Sequence, residues 1–106
     1  MDVVTATQGF SAIGSEARLA VLQTLVKAGD GGLRVGDIQE RTGIPASTLA
    51  HHLKFLGSAD LIMSEKQGRT IITRANYPHL QALAAFILEE CCADVSTVAE
   101  TEDCCT

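Results

Sequence analysis

Tryptophan is absent, and aromatic residues make up only 4% of the 106 residues. An interior without large rings has to be built from aliphatic side chains, as in many small helical proteins. No stretch approaches the ~20 consecutive apolar residues of a membrane-spanning helix. The N-terminus lacks a basic region followed by an apolar run and a small-residue cleavage site, so no secretory signal is expected and a cytoplasmic location is. Internal repeats and low-complexity segments are missing. So are a CxxC motif, a phosphate-binding glycine loop and a nucleophile paired with a base and an orienting third residue. His51, His52 and His79 have no recognisable catalytic company, and an enzyme is not expected. What remains is 46% hydrophobic residues in one domain's length, enough for a single modest core.

Positive charge is also missing from Ala75 to Thr106, where Glu89, Glu90, Asp94, Glu100, Glu102 and Asp103 supply six negatives. The formal net charge of −5 argues against a nucleic-acid partner if taken as a whole. The distribution says otherwise. Residues 1–88 carry eight positives against seven negatives, and residues 44–76 set Lys54, Lys66, Arg69 and Arg74 against Asp60 and Glu65, a local excess of +2. Local potential governs an encounter with a polyanion more than the total does.

Along the chain, Val3, Ala6, Phe10 and Ile13 recur at helical spacing, with Gly9 weakening that helix by about 1 kcal/mol relative to Ala. Ser15 is a plausible N-cap for a helix from about Glu16 to Ala28, striped by Leu19, Leu22, Leu25 and Val26. After the Gly29–Gly32 loop, Val35–Thr42 reads as a two-turn helix stopped by Gly43. Ile44-Pro45 then leads directly into a helix whose Leu49, His52, Leu53 and Leu56 share one face. The opposite face carries Ser47, Thr48, His51, Lys54 and Ser58 and no carboxylate. Small donors and one cation suit a major groove, where a helix meets base edges and phosphates. A short helix, a glycine turn and a second helix with such a face form a helix-turn-helix, whose second helix is the reader. Asp60, which tolerates a left-handed backbone, ends it. Two β-prone arms from Ile62 to Arg74 flank Gln67-Gly68, with Lys66 and Arg69 at the tip. A basic-tipped hairpin after a reader helix is a wing, able to reach phosphates or the minor groove. A final helix begins near Asn76 or Tyr77, and its stripe of Leu80, Leu83, Ala84, Ile87 and Cys91 reads as a dimer face, helped by the first helix. The fold class expected is mainly α with a small β-hairpin wing. A winged domain over residues 1–93 would be followed by an acidic, cysteine-bearing tail over residues 94–106.

Three segments, SEARLAVLQTLVKAG, VGDIQERTGIPASTLAHHLKFLGSADLI and QGR, resemble the ArsR/SmtB family of winged-helix metalloregulatory repressors over roughly Phe10 to Cys92. STLAHHLKFL is the most specific piece. Thr73 stands where the family often has an aromatic, and Asp60 where it usually has Gly. The resemblance implies a homodimer that binds double-stranded operator DNA when apo and releases it on binding a metal or metalloid. The family's DNA-contacting positions map onto Ser47, Thr48 and His51, with Lys54 near phosphate. Lys66, Gln67 and Arg69 complete the candidate contact set from the wing. His52 matches a family histidine that is often internal. Many arsenic sensors of the family carry cysteines before the reader helix; the corresponding Leu33–Asp37 has none. The family's last-helix zinc site is poorly matched by His79, Glu89 and Glu90.

All four cysteines lie in the last sixteen residues, as the pairs Cys91-Cys92 and Cys104-Cys105. In a reducing compartment they read as reduced ligands or redox thiols before structural disulfides. Soft thiolates favour thiophilic acceptors. Trivalent arsenic or antimony takes three thiolates in a pyramid, which Cys91, Cys92 and one of Cys104 or Cys105 would supply. Some arsenic-responsive members of the family carry cysteines at the end of the last helix, in keeping with that set. The same thiols also suit a tetrahedral Cd(II) or Zn(II) site or a disulfide switch, and Cys91 alone would pass as a small apolar residue. Outside transcription control, a thiol carrier accounts for the tail but not the reader helix. A winged helix used only for protein contacts accounts poorly for the basic wing.

Overall fold

The computed structural model describes residues 1–95. Its elements are α1 (Val3–Ile13), α2 (Glu16–Ala28), β1 (Leu33–Arg34), α3 (Val35–Thr42), α4 (Ala46–Ser58), β2 (Ile62–Gln67), β3 (Thr70–Ala75) and α5 (Tyr77–Ile87). Local chemistry accounts for most of the boundaries. Asp2 caps α1, its carboxylate accepting the Thr5 N–H at 2.7 Å, and Ser15 caps α2 by accepting the Arg18 N–H at 3.1 Å. The Thr5 bond holds the Asp2 carboxyl below its ordinary value of 3.8. That cap therefore supports α1 at neutral pH and is lost as pH falls through the lowered value. Gly43 ends α3 in the left-handed region at φ 73°.

The core is aliphatic. Val21, Leu25, Ile38, Leu49, Leu56 and Leu61 are fully buried in one cluster drawn from α2, α3, α4 and the start of the wing. A buried aliphatic side chain of this size stabilises by about 1.5–3 kcal/mol over an exposed one. α1 lies over α2, α4 and α5. Gly9 is buried there, and a Cβ at that position would come within 2.8 Å of Leu83 Cδ1. The glycine that costs α1 some intrinsic helicity is thus the seat for the one buried α5 side chain, Leu83.

The sheet corrects the expectation of a two-stranded hairpin. β1 pairs antiparallel with β3, through Leu33↔Thr73 and Arg34↔Ile72, giving the order β1-β3-β2. A two-residue strand carries no alternation to read, so only the pairing reveals it. Gly32 makes the pairing possible: its φ is 68°, and a Cβ there would lie 2.6 Å from the Thr73 carbonyl oxygen. The β2–β3 register runs from Ile62↔Ala75 to Gln67↔Thr70, leaving Gly68 (φ 64°) and Arg69 as a two-residue loop. Within the hairpin, the Ser64 and Thr73 hydroxyls lie 3.1 Å apart, which gives buried Thr73 a polar partner.

The last helix is also shorter than its apolar stripe suggests. α5 stops at Ile87, so Cys91 lies beyond it and the expected stripe ends one turn earlier. Turns closed by Cys91 N–H to Leu88 C=O (2.8 Å) and Ala93 N–H to Glu90 C=O (2.9 Å) follow, with Glu90 at φ 62° and Cys92 at φ 61°. Glu89 and Glu90 would extend carboxylates past the negative end of the helix dipole, which disfavours another turn there. Replacing Gly32 by Ala forces both a left-handed backbone and a backbone clash. Gly32→Ala is expected to lower unfolding free energy by about 1–3 kcal/mol from the backbone alone, read from urea denaturation.

Candidate nucleic-acid interface and thiol pair

Burial of Leu49 and Leu56 fixes the rotation of α4. Ser47, Thr48, His51 and Lys54 then stand exposed on the other side, at the i, i+1, i+4 and i+7 positions of one face. No Asp or Glu lies between Ala46 and Ser58. Pro45 is the N-cap residue of α4, and the preceding turn is held by Thr42, whose hydroxyl donates to the Ile38 carbonyl and accepts the Ile44 N–H. Ser58, read from the sequence as part of the outer face, instead donates its hydroxyl to the Lys54 carbonyl at 2.9 Å. His52 is half-buried, with Nδ1 enclosed and lacking a hydrogen-bond partner among the described residues. That places it inside the packing rather than on the outer face.

Lys66, Gln67 and Arg69 are exposed at the wing tip. Arg74, counted in the local basic excess, is ion-paired across the strands with Glu65 and stands back from the tip. The helix end and the wing are clamped to α5. The Asn76 side-chain amide donates to the Asp60 carbonyl at 2.8 Å, and the Asn76 N–H donates to the Leu61 carbonyl at 2.9 Å. Asp60 adopts the left-handed backbone, at φ 62°. The Tyr77 hydroxyl donates to the Val26 carbonyl at 2.9 Å, tying the start of α5 to the end of α2. Neither clamp was legible from periodicity, because both join residues far apart in sequence through single polar groups.

Cys91 and Cys92 are half-buried in the turns after α5, their sulfurs 3.6 Å apart. Cys104 and Cys105 lie outside the described residues. Among the described residues, no group of three or more His, Cys, Asp or Glu side chains converges on a metal-sized site. No helix among them is long and apolar enough to cross a membrane.

A helix-turn-helix domain family model matches residues 13–65, from the end of α1 into the wing. The transcriptional repressor SdpR of Bacillus subtilis is 35% identical over 72 residues, covering 68% of this chain and 77% of that repressor. The uncharacterised HTH-type regulator YceK of the same organism is 36% identical over 63 residues, which span 59% of this chain and 62% of YceK. Among solved structures, an ArsR-like transcriptional regulator from Rhodococcus sp. RHA1 superposes with a TM-score of 0.71 at 28% identity, covering 82% of this chain and 78% of that one. A homodimeric winged helix-turn-helix domain from Mycobacterium bovis, at 23% identity and a TM-score of 0.65, shares the fold over 83% of this chain and 82% of its own. The exposed reader face, the wing and these likenesses together define a winged helix-turn-helix DNA-binding regulator rather than an enzyme. Within that class, the chain belongs to the ArsR family of transcriptional regulators.

Tyr77 offers a direct check on the clamp between α2 and α5. Tyr77→Phe removes one donor without changing the packing volume, and is expected to cost about 0.5–1.5 kcal/mol in urea unfolding.

Proposed function

We propose that this regulator is a homodimeric repressor that binds operator DNA and is released when As(III) or Sb(III) is bound by its C-terminal cysteine thiolates. Ser47, Thr48 and His51 face base edges in the major groove, Lys54 meets phosphate, and Lys66, Gln67 and Arg69 engage the flanking backbone or minor groove. The observation that carries the DNA half is the carboxylate-free outer face of α4, turned outward by the burial of Leu49 and Leu56. Dimerisation is supported by the large apolar side chains left exposed on α1 and at the end of α5, with Val3 66%, Val4 67% and Ile87 63% accessible. The Mycobacterium bovis relative, described as homodimeric, has the same architecture.

The inducer half is supported by the Cys91–Cys92 sulfur separation of 3.6 Å. Two ~2.3 Å bonds to sulfur hold the sulfurs roughly 3.4 Å apart at a pyramidal angle and ~3.8 Å at a tetrahedral one, so one soft ion can bridge the pair with little rearrangement. The third thiolate comes from Cys104 or Cys105. The pair follows α5 directly, and the other end of that helix is hydrogen-bonded to the end of the reader helix through Asn76. A rigid helix with the ligand site at one end and the reader-helix clamp at the other gives the two sites a shared element to bias. DNA affinity then falls by the ligand's preference for the non-binding arrangement, about 1–3 kcal/mol on the usual allosteric scale.

Thiol oxidation through the same cysteines is a second reading, favoured by the close approach of the Cys91 and Cys92 sulfurs. Fluorescence anisotropy of a labelled duplex from the region upstream of its own gene separates the two. For the reduced protein, arsenite is expected to weaken binding about 5–150-fold, with Zn(II), Cd(II) and peroxide having little effect. Cys91→Ser is expected to bind DNA normally and to lose that response. Release by peroxide alone would assign the cysteines to redox control, and normal arsenite release from Cys91→Ser would remove the proposed site. For the interface itself, Lys54→Ala is expected to weaken binding to any duplex and to make the slope of log affinity against log salt shallower by about 1.

A further inference from the structure

We infer that Arg18 and Phe55 are positioning residues that hold His51 in its reading orientation, through a line of contacts running from the end of α1 to the outer face of α4. This rests on the DNA-reading role proposed for His51. The line begins at the C-terminus of α1, where the last carbonyls carry the negative end of the helix dipole. The Arg18 guanidinium, on α2, donates Nε–H to the Ala12 carbonyl and reaches the Ser11 carbonyl at 3.5 Å through Nη2. So anchored, it lies over the Phe55 ring, with Cζ 5.1 Å from the ring centroid. Phe55 in turn meets the His51 ring edge to face, with centroids 5.0 Å apart and planes inclined by 77°.

Core burial does not explain Phe55. The ring is 46% exposed, one residue before the fully buried Leu56. It borders an open cavity of about 460 Å³ between α1, α2 and the end of α4, lined by Thr7, Ser11, Arg18 and Ser58 among others. That space lets the ring leave its position if the cation above it is removed. His51 has two ring neighbours among the described residues: Phe55, and the more distant His52 at 6.5 Å. An imidazole on an exposed helix face loses rotamer freedom when it docks on a base. A neighbouring ring that restricts it beforehand lowers that cost. The anchor on α1 makes the restriction depend on how α1 sits against α2.

A double-mutant cycle read by operator anisotropy tests the relay, with melting temperature and binding to an unrelated duplex as controls. Phe55→Leu is expected to weaken operator binding about tenfold while leaving both controls nearly unchanged. Phe55→Tyr, which keeps the ring, is expected to retain affinity. In a His51→Ala background, Phe55→Leu should add nothing further. Full additivity of the two losses would overturn the relay and leave His51 as a reader. An unchanged affinity for His51→Ala alone would instead remove the reading role, and the relay with it. If Phe55→Leu does not fold, Arg18→Met carries the same cycle with the same two outcomes.

Discussion

The rotation of one helix about its own axis is the constraint on which the rest depends. Leu49 and Leu56 lie two turns apart on α4, and both are fully buried in the cluster shared with Val21, Leu25 and Ile38. With 3.6 residues per turn, that leaves one orientation for Ser47, Thr48, His51 and Lys54. The core of this chain therefore bears on function directly: the same side chains that stabilise the domain aim the face proposed to meet nucleic acid. An aliphatic core also fixes the aim firmly, because close-packed side chains in rotamer minima do not let a helix roll by small amounts.

Around that helix the structure adds single polar connections to the packing. Asn76 bonds to Asp60 and Leu61 at the end of the reader helix, Tyr77 reaches the end of α2, and Arg18 closes the end of α1. Each donates to a carbonyl at the end of a helix or in a turn. Each also joins elements far apart in the chain. Gly9 works in the same way from the packing side, letting Leu83 seat α5 on α1.

Much of this was readable from residue order. The helix over Glu16–Ala28, the short helix Val35–Thr42 and the wing turn at Gln67-Gly68 were marked by caps, glycines and periodicity, and the structure has them there. The left-handed Asp60 follows from its tolerance of that backbone. β1 was not readable, since two residues have no period and their pairing is with a strand some forty positions away. α5 ends at Ile87 although Cys91 sits in phase with its apolar stripe, since phase alone does not say where a helix stops. Ser58 lies on the polar face by spacing yet spends its hydroxyl on the backbone of its own helix. Phe55 lies beside buried Leu56 yet stays half exposed, and its partner Arg18 comes from another helix, which residue order does not reveal.

The sequence by itself determined the order of the elements, the carboxylate-free outer face of the reader helix, the basic wing tip and the gathering of thiols at one end, because each is a matter of composition and local spacing. Only the tertiary structure decided which of those residues face outward unencumbered, that a third strand completes the sheet, that the thiol pair stands on turns beyond α5, and that the start of α5 is bonded to the end of the reader helix. Those depend on groups distant in the chain coming within hydrogen-bonding or van der Waals range. Burial of the shared core brings them there, and no local pattern encodes it.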